Sequence, residues 1–168
     1  IIRIQQNVVA IDRLQEVLES ESKIAEPKSP KPFPEDWNEI SFQGVGFTYN
    51  DGPVLKDVDL KIIRGEVVAL VGESGSGKST LAGLLQRFYD PTNGIIEVGG
   101  VPVKEMSSKD LRAQLGYVTQ DVFLFDDTIE NNIWYGDLNR DKKDVQMAAD
   151  MANATGFVEQ TKKGFQSL

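Results

Sequence analysis

Val67-Val68-Ala69-Leu70-Val71-Gly72-Glu73-Ser74-Gly75-Ser76-Gly77-Lys78-Ser79-Thr80 is the stretch on which the fold turns. Its first five residues form an uninterrupted apolar run rich in β-branched side chains, which predicts a strand buried on both faces. Gly72 to Ser79 then satisfies G-x-x-x-x-G-K-[ST] in full. The glycines let the backbone fold into a concave nest whose N–H groups point inward, with no side chain between them and a phosphate oxygen. Lys78 opens the next helix and sets an ammonium beside the β- and γ-phosphates, while the Ser79 hydroxyl can ligate Mg²⁺ and the helix N-terminus adds positive potential. Strand, loop and helix in that order predict a nucleoside triphosphate site for ATP or GTP, built from Gly72, Glu73, Ser74, Gly75, Ser76, Gly77, Lys78, Ser79 and Thr80. A dinucleotide fingerprint is excluded, because Thr80 stands where the third glycine of G-x-G-x-x-G is needed.

Downstream of the loop, Leu81, Leu84, Leu85 and Phe88 mark a helix that must end before Pro91. Ile95 to Val98 reads as a strand and Leu115 to Thr119 as another buried one. Ser107 with Asp110 predicts a capped short helix. Further helices are expected from Asp127-Thr128-Ile129-Glu130, over Asp141 to Met151, and over Thr155 to Lys163. Upstream, Ile40 to Phe42 and Val45 to Tyr49 read as strands, Asn50-Asp51-Gly52-Pro53 as a turn, and Val58, Leu60 and Ile62 alternate as in a half-buried strand. The opening is therefore hairpin-rich and antiparallel.

Before that lies a different grammar. Ile4, Val8, Ile11, Leu14 and Leu18 recur at spacings of three and four, which predicts an amphipathic helix over residues 1–20. Pro27, Pro30, Pro32 and Pro34 then prevent a continuous helix over 21–37 and favour an extended, solvated linker. A globular domain is expected over 38–168. The first residues lack an initiator Met and the pattern of a signal peptide, so the chain reads as cut from a longer polypeptide.

Composition narrows the function. The 168 residues are 40% hydrophobic and 26% charged, within the soluble globular range. There is no Cys and no His, which excludes disulfides, thiolate nucleophiles, imidazole metal sites and His-dependent triads. A net charge of −8 disfavours a surface that tracks a nucleic acid backbone. No apolar run approaches the ~20 residues a spanning helix needs. Val122 to Phe125 followed by Asp126 and Asp127 has the outline of a strand bearing a metal carboxylate. A helix N-terminus at Thr128 accounts for the acidic residues without a metal.

Three segments, in order, resemble the ATP-binding cassette (ABC) transporter family in its exporter branch. Phe47-Thr48-Tyr49 before Leu55-Lys56-Asp57-Val58 is similar to the family's A-loop, Gly72 to Thr80 to its Walker A motif, and Tyr117 to Phe125 to its Q-loop. Thr128 to Gly136 is similar to the exporter pattern T-I-x-x-N-I-x-x-G, a region that packs near coupling helices of the membrane domain; on the residues alone, Ile133, Trp134 and Tyr135 read as helix core. The resemblance implies that Tyr49 stacks on adenine. It also implies that Gln120 reaches Mg²⁺ and the attacking water and senses the membrane domain. The helix and linker at the start resemble the end of a last transmembrane helix.

The implied fold is α/β, a P-loop NTPase (RecA-like) core with an N-terminal antiparallel β subdomain and the start of a helical subdomain. The implied function is ATP-driven export of a lipid, drug or peptide, with the ATP-binding domain on the cytoplasmic face of a membrane. The implied partners are the transmembrane domain of the same transporter and a second ABC ATP-binding domain, identical or not. A nucleotide-binding module of a non-transport ABC-type ATPase, in DNA repair or chromosome maintenance, is the alternative; the acidic balance and the lack of coiled-coil heptads count against it. No L-S-G-G-Q signature, Asp-Glu strand or switch histidine is present. The chain alone is expected to bind ATP with Lys78 and Gln120 as its catalytic residues, and not to turn it over.

Overall fold

A computed structural model describes residues 15, 18, 24–49, 52–135 and 141–168. The amphipathic helix expected over 1–20 lies outside the described residues, Gln15 and Leu18 apart. The chain divides into two compact units, Ile1–Gly116 and Tyr117–Leu168.

The first unit is built on a four-stranded antiparallel sheet. Strands β1 (Glu39–Tyr49), β2 (Gly52–Ile63), β3 (Asn93–Val98) and β4 (Val101–Pro102) lie in the order β2-β1-β3-β4. The two strands expected over 40–42 and 45–49 are one strand, because β1 continues through an irregularity between Phe42 and Val45 that keeps Phe42, Val45 and Phe47 all facing inward. Helix α1 (Lys78–Leu85) lays Leu81 and Leu84 on that face, and Ile96, Val98, Val103, Met106 and Leu111 complete the core. Helix α2 (Ser108–Ala113) is opened by Ser107, whose hydroxyl accepts the Asp110 N–H, as its sequence requires.

Helix α1 ends earlier than its apolar spacing suggests. Arg87 adopts φ 54°, a left-handed conformation more often taken by glycine at this place. The Arg87 N–H bonds to the Leu84 carbonyl and the Phe88 N–H to the Gly83 carbonyl, the paired bonds of a Schellman ending. Phe88 is thus turned off the helix and half exposed, its ring 5.1 Å from the Arg112 guanidinium carbon.

Val67 to Val71 and Leu115 to Thr119 are not strands, contrary to expectation. Val67 is 97% exposed, Val71 93% and Val118 91%. A run of this composition becomes a buried strand only when neighbours pair with both its edges and cover both its faces. Among the described residues none pairs with it.

Residues 24–38 are extended, as four prolines demand, but they are laid against the rest of the first unit. Lys31 bonds through its N–H to the Glu105 carbonyl and through its ammonium to the Glu105 carboxylate at 2.6 Å. Phe33 and Trp37 pack on the core, and the Arg64 guanidinium reaches the Glu35 and Trp37 carbonyls while lying 5.3 Å over the Trp37 ring.

The second unit holds helices α3 (Ile129–Trp134), α4 (Lys142–Met151) and α5 (Thr155–Glu159). Asp141 makes both bonds of a capping box with Asp144, which explains why α4 begins where its sequence places it. Helix α5 stops at Glu159, short of the expected Lys163, and Thr161 bonds to the Val158 and Gly164 carbonyls in the turn after it. No described helix is long and apolar enough to cross a membrane.

Candidate functional site

The loop from Gly72 to Gly77 closes on the side chain of the next residue. The Lys78 ammonium donates to the Gly72 carbonyl at 2.9 Å, the Glu73 carbonyl at 2.7 Å and Ser76 Oγ at 3.3 Å. These oxygens are neutral, so they orient the ammonium without cancelling its charge, and an anion entering the loop meets a cation already in place.

The start of α1 adds to this. Its N-cap is Gly77 at φ 88°, with no side-chain cap. The starts of α2, α3 and α4 are capped by Ser107, Thr128 and Asp141. An α-helix leaves its first N–H groups without internal partners, and α1, like α5 after Ala154, has no side chain to take them. Gly77 has a packing reason as well: a Cβ on it would stand 2.6 Å from Leu55 Cδ2 and 3.2 Å from Val54 Cγ1. The β1–β2 hairpin therefore presses directly on the loop. A cleft of about 440 Å³ opens here, lined by Leu55 and Val58 of β2, by Ala69 to Gly72 and by Lys78.

Ser79 is exposed on the first turn of α1 and Thr80 is buried beneath it. Tyr49 sits at the end of β1, opposite Gly52 and two residues beyond Phe47, whose partner in β2 is the same Leu55. It is 38% exposed, with its ring edge-to-face on Phe47 at 4.7 Å and on Tyr89 at 5.4 Å. A hydrogen bond to Tyr49, together with the nearness of that second phenol, holds the Tyr89 hydroxyl above the ordinary tyrosine range. All of these groups belong to the first unit. Gln120 belongs to the second, exposed in a bend.

The acidic pair ahead of α3 behaves as a helix start. Thr128 accepts the Asn131 N–H, while Asp127 accepts the Thr128 N–H at 2.7 Å and Asn131 Nδ2 at 2.8 Å. Those two bonds, the one from Asn131 first, hold the Asp127 carboxyl below its ordinary range against a small opposing effect of burial. The Asn of T-I-x-x-N-I has a clear job: the Asn132 side chain accepts the Phe125 N–H and donates to the Phe125, Asp127 and Thr128 carbonyls. Helix core describes only part of the Ile133 to Tyr135 segment, because Ile133 is 37% and Tyr135 70% exposed, the latter stacked on Phe125 at 4.2 Å. Among the described residues no cluster of three or more His, Cys, Asp or Glu could hold a metal.

Two residues that belong to no sequence motif matter here, Tyr89 at the helix end before Asp90-Pro91 and the charged Arg87. Arg87 is only 2% exposed. Its guanidinium donates to the carbonyls of Ala25 at 2.7 Å and Met106 at 2.9 Å, to Ser108 Oγ at 3.4 Å and to Asp90 at 3.2 Å. Arg112 supports it from outside by bonding the Gln86 and Arg87 carbonyls. The helix that begins at the phosphate loop is thus fastened at its far end to the extended N-terminal segment.

Comparison with known proteins bears on this arrangement. The family described as ABC transporter matches residues 55–167. The ATP-dependent lipid A-core flippase of Hahella chejuensis is 48% identical over 132 residues, covering 77% of this chain and 23% of the flippase. The flippase of the same description from Syntrophus aciditrophicus is 38% identical over 165 residues, covering 98% of this chain and 28% of the flippase. A bacterial Atm1-family ABC exporter solved with ATP bound superposes with a TM-score of 0.84 at 33% identity, over 98% of this chain and 29% of the exporter. The chain spans less than a third of the length of each of these relatives.

Proposed function

The chain belongs to the ABC transporter family, with exporter-type relatives, and from that premise we propose that it binds Mg·ATP within an exporter that moves a lipid across a membrane. The observation that carries the nucleotide site is the Lys78 ammonium, oriented by loop carbonyls at a helix start that no side chain caps. Gly72 to Gly77 would supply backbone N–H donors, Lys78 would balance the β- and γ-phosphates, and Tyr49 would offer its exposed ring to adenine. Drug and peptide are the other cargo classes the family resemblance leaves open; the flippase relatives favour lipid.

The donor set fits Mg²⁺ in one respect: the Ser79 hydroxyl stands exposed one residue after Lys78, beside the loop. Ser79 and Gln120 would hold the ion, which neutralises charge on the β- and γ-oxygens when bound. Gln120 would also report the state of the site to the transmembrane domain. A second ATP-binding domain would supply the missing half of the catalytic site, with the nucleotide on the cytoplasmic face. The finer fold, a RecA-like core, would have 67–71 and 115–119 as buried strands.

Titration calorimetry of the chain with Mg·ATP, before and after Lys78→Ala, tests the reading. Loss of the charge-assisted contacts should weaken binding by about 1.5–3 kcal/mol. Unchanged affinity would remove the assignment.

A further inference from the structure

Three aromatic rings of the first unit converge at the turn end of the β1–β2 hairpin. Phe47 is the buried member, 7% exposed, and it touches both tyrosines: Tyr49 at 4.7 Å and 89°, Tyr89 at 5.3 Å and 48°. Tyr89 in turn meets Tyr49 at 5.4 Å and 85°. Tyr49 is therefore braced by two rings.

Tyr89 is itself anchored. Two residues before it, Arg87 is buried and bonded on several sides, and the Phe88 N–H is committed to the Gly83 carbonyl of α1. Three residues after it, Thr92 bonds β1 twice: its N–H reaches the Gly46 carbonyl at 2.9 Å and its hydroxyl accepts the Thr48 N–H at 3.1 Å. The segment carrying Tyr89 runs between the far end of the phosphate-loop helix and the strand that carries Tyr49.

We propose that Tyr89 is a positioning residue for base recognition, holding the Tyr49 ring in the orientation in which it stacks on adenine. The physical reason is preorganisation. A tyrosine at a strand end with more than a third of its surface exposed would otherwise explore several rotamers, and stacking a base on it would freeze them at the moment of binding. Edge-to-face contacts from Phe47 and Tyr89 impose that order in advance. The inference rests on the reading of Tyr49 as the adenine contact.

The test compares ATP with inorganic triphosphate, which has the phosphates and no base. Affinities of both are measured by calorimetry for the full chain and for Tyr89→Ala, Tyr89→Phe, Tyr49→Ala and the Tyr49→Ala/Tyr89→Ala pair. Tyr89→Ala should weaken ATP by about three- to tenfold and leave triphosphate unchanged within about twofold. Tyr89→Phe, which keeps the ring and loses the hydroxyl, should fall between; it carries the same comparison if the alanine variant does not fold. Tyr89→Ala should cost nothing further once Tyr49 is already alanine. Equal losses for ATP and triphosphate, or a full additional loss in the double variant, would overturn the proposal. If Tyr89→Ala discriminates between the ligands and Tyr49→Ala does not, Tyr89 touches the base itself and the positioning role is wrong. If neither discriminates, both readings fall.

Discussion

Leu55 and Gly77 meet so closely that the helix start has no room for a single added carbon: a Cβ on Gly77 would lie 2.6 Å from Leu55 Cδ2. The contact joins the β1–β2 hairpin to the phosphate loop, and Gly77 makes it while holding a left-handed φ of 88°. Gly77→Ala should therefore be penalised twice. The conformation alone costs about 1–2 kcal/mol for a residue with a Cβ, and the displaced Leu55 adds to it. We expect a lower melting temperature together with loss of ATP binding, by differential scanning fluorimetry with and without nucleotide. A variant that melts and binds like the parent would contradict the packing account of this glycine. Leu55→Ala with Gly77→Ala should recover part of the melting temperature, because it removes the side chain in the way.

Arg87 offers a second test. Its guanidinium is buried and serves acceptors in several directions, Ala25, Met106, Ser108 and Asp90 among them. Arg87→Ala should destabilise the first unit by about 3 kcal/mol, as breaking a buried charged network does. Arg87→Lys should rescue little, since a single ammonium cannot reproduce the guanidinium fork. Urea denaturation measures the first effect. Limited proteolysis between residues 24 and 38 should show faster cleavage in both variants, and an unchanged cleavage rate would mean that Arg87 does not hold the extended segment down.

Glu26 makes that attachment sensitive to acid. The Ser108 side chain and N–H bond its carboxylate and, with Arg87 and Arg112 contributing less, hold its carboxyl below the ordinary glutamate range, against a small desolvation effect. A depressed folded value means the contribution is present in full above the unfolded glutamate value, about 4.3, and is lost as the pH falls through the folded one. Hydrogen exchange at 24–38 should therefore show this segment loosening at acid pH before the sheet does. Glu26→Gln should abolish the pH dependence of that difference. A profile identical in parent and variant would show that another group carries it.

One of the two carboxylates that follow the Q-loop segment is already occupied. Asp127 accepts from Thr128 and Asn131 at the start of α3, which leaves it a structural role. Binding and turnover should accordingly separate: residues 1–168 should retain ATP affinity while releasing phosphate no faster than their Lys78→Ala counterpart. Each missing catalytic group removes stabilisation of the transition state more than of bound nucleotide. Steady-state phosphate release is the measurement. Robust release that depends on Lys78 would show a carboxylate on this chain acting in catalysis, with Asp126 and Asp127 the first to be replaced.

What the sequence determined by itself was local. The Gly72 to Ser79 pattern specified a turn, a helix start and a lysine opening that helix, because glycine placement and the Gly-Lys-Ser order act within a few residues of one another. The starts of α2, α3 and α4 were legible for the same reason, since Ser107, Thr128 and Asp141 bond N–H groups two or three residues away. The antiparallel hairpin was legible from alternation around a turn. The tertiary structure alone decided the rest. Whether Val67 to Val71 is a strand depends on partners distant in the chain, and its apolar run says only that it suits such a place. Arg87 is an ordinary charge in sequence and a buried one in the fold, where Ala25, Met106 and Ser108 surround it, because burial of a guanidinium is decided by acceptors that sequence spacing does not reveal. Tyr89 likewise carries no motif. Its ring reaches Tyr49 because a left-handed Arg87 ends the helix early and Thr92 ties the returning chain to β1, a path set by contacts 40 or more residues apart in sequence.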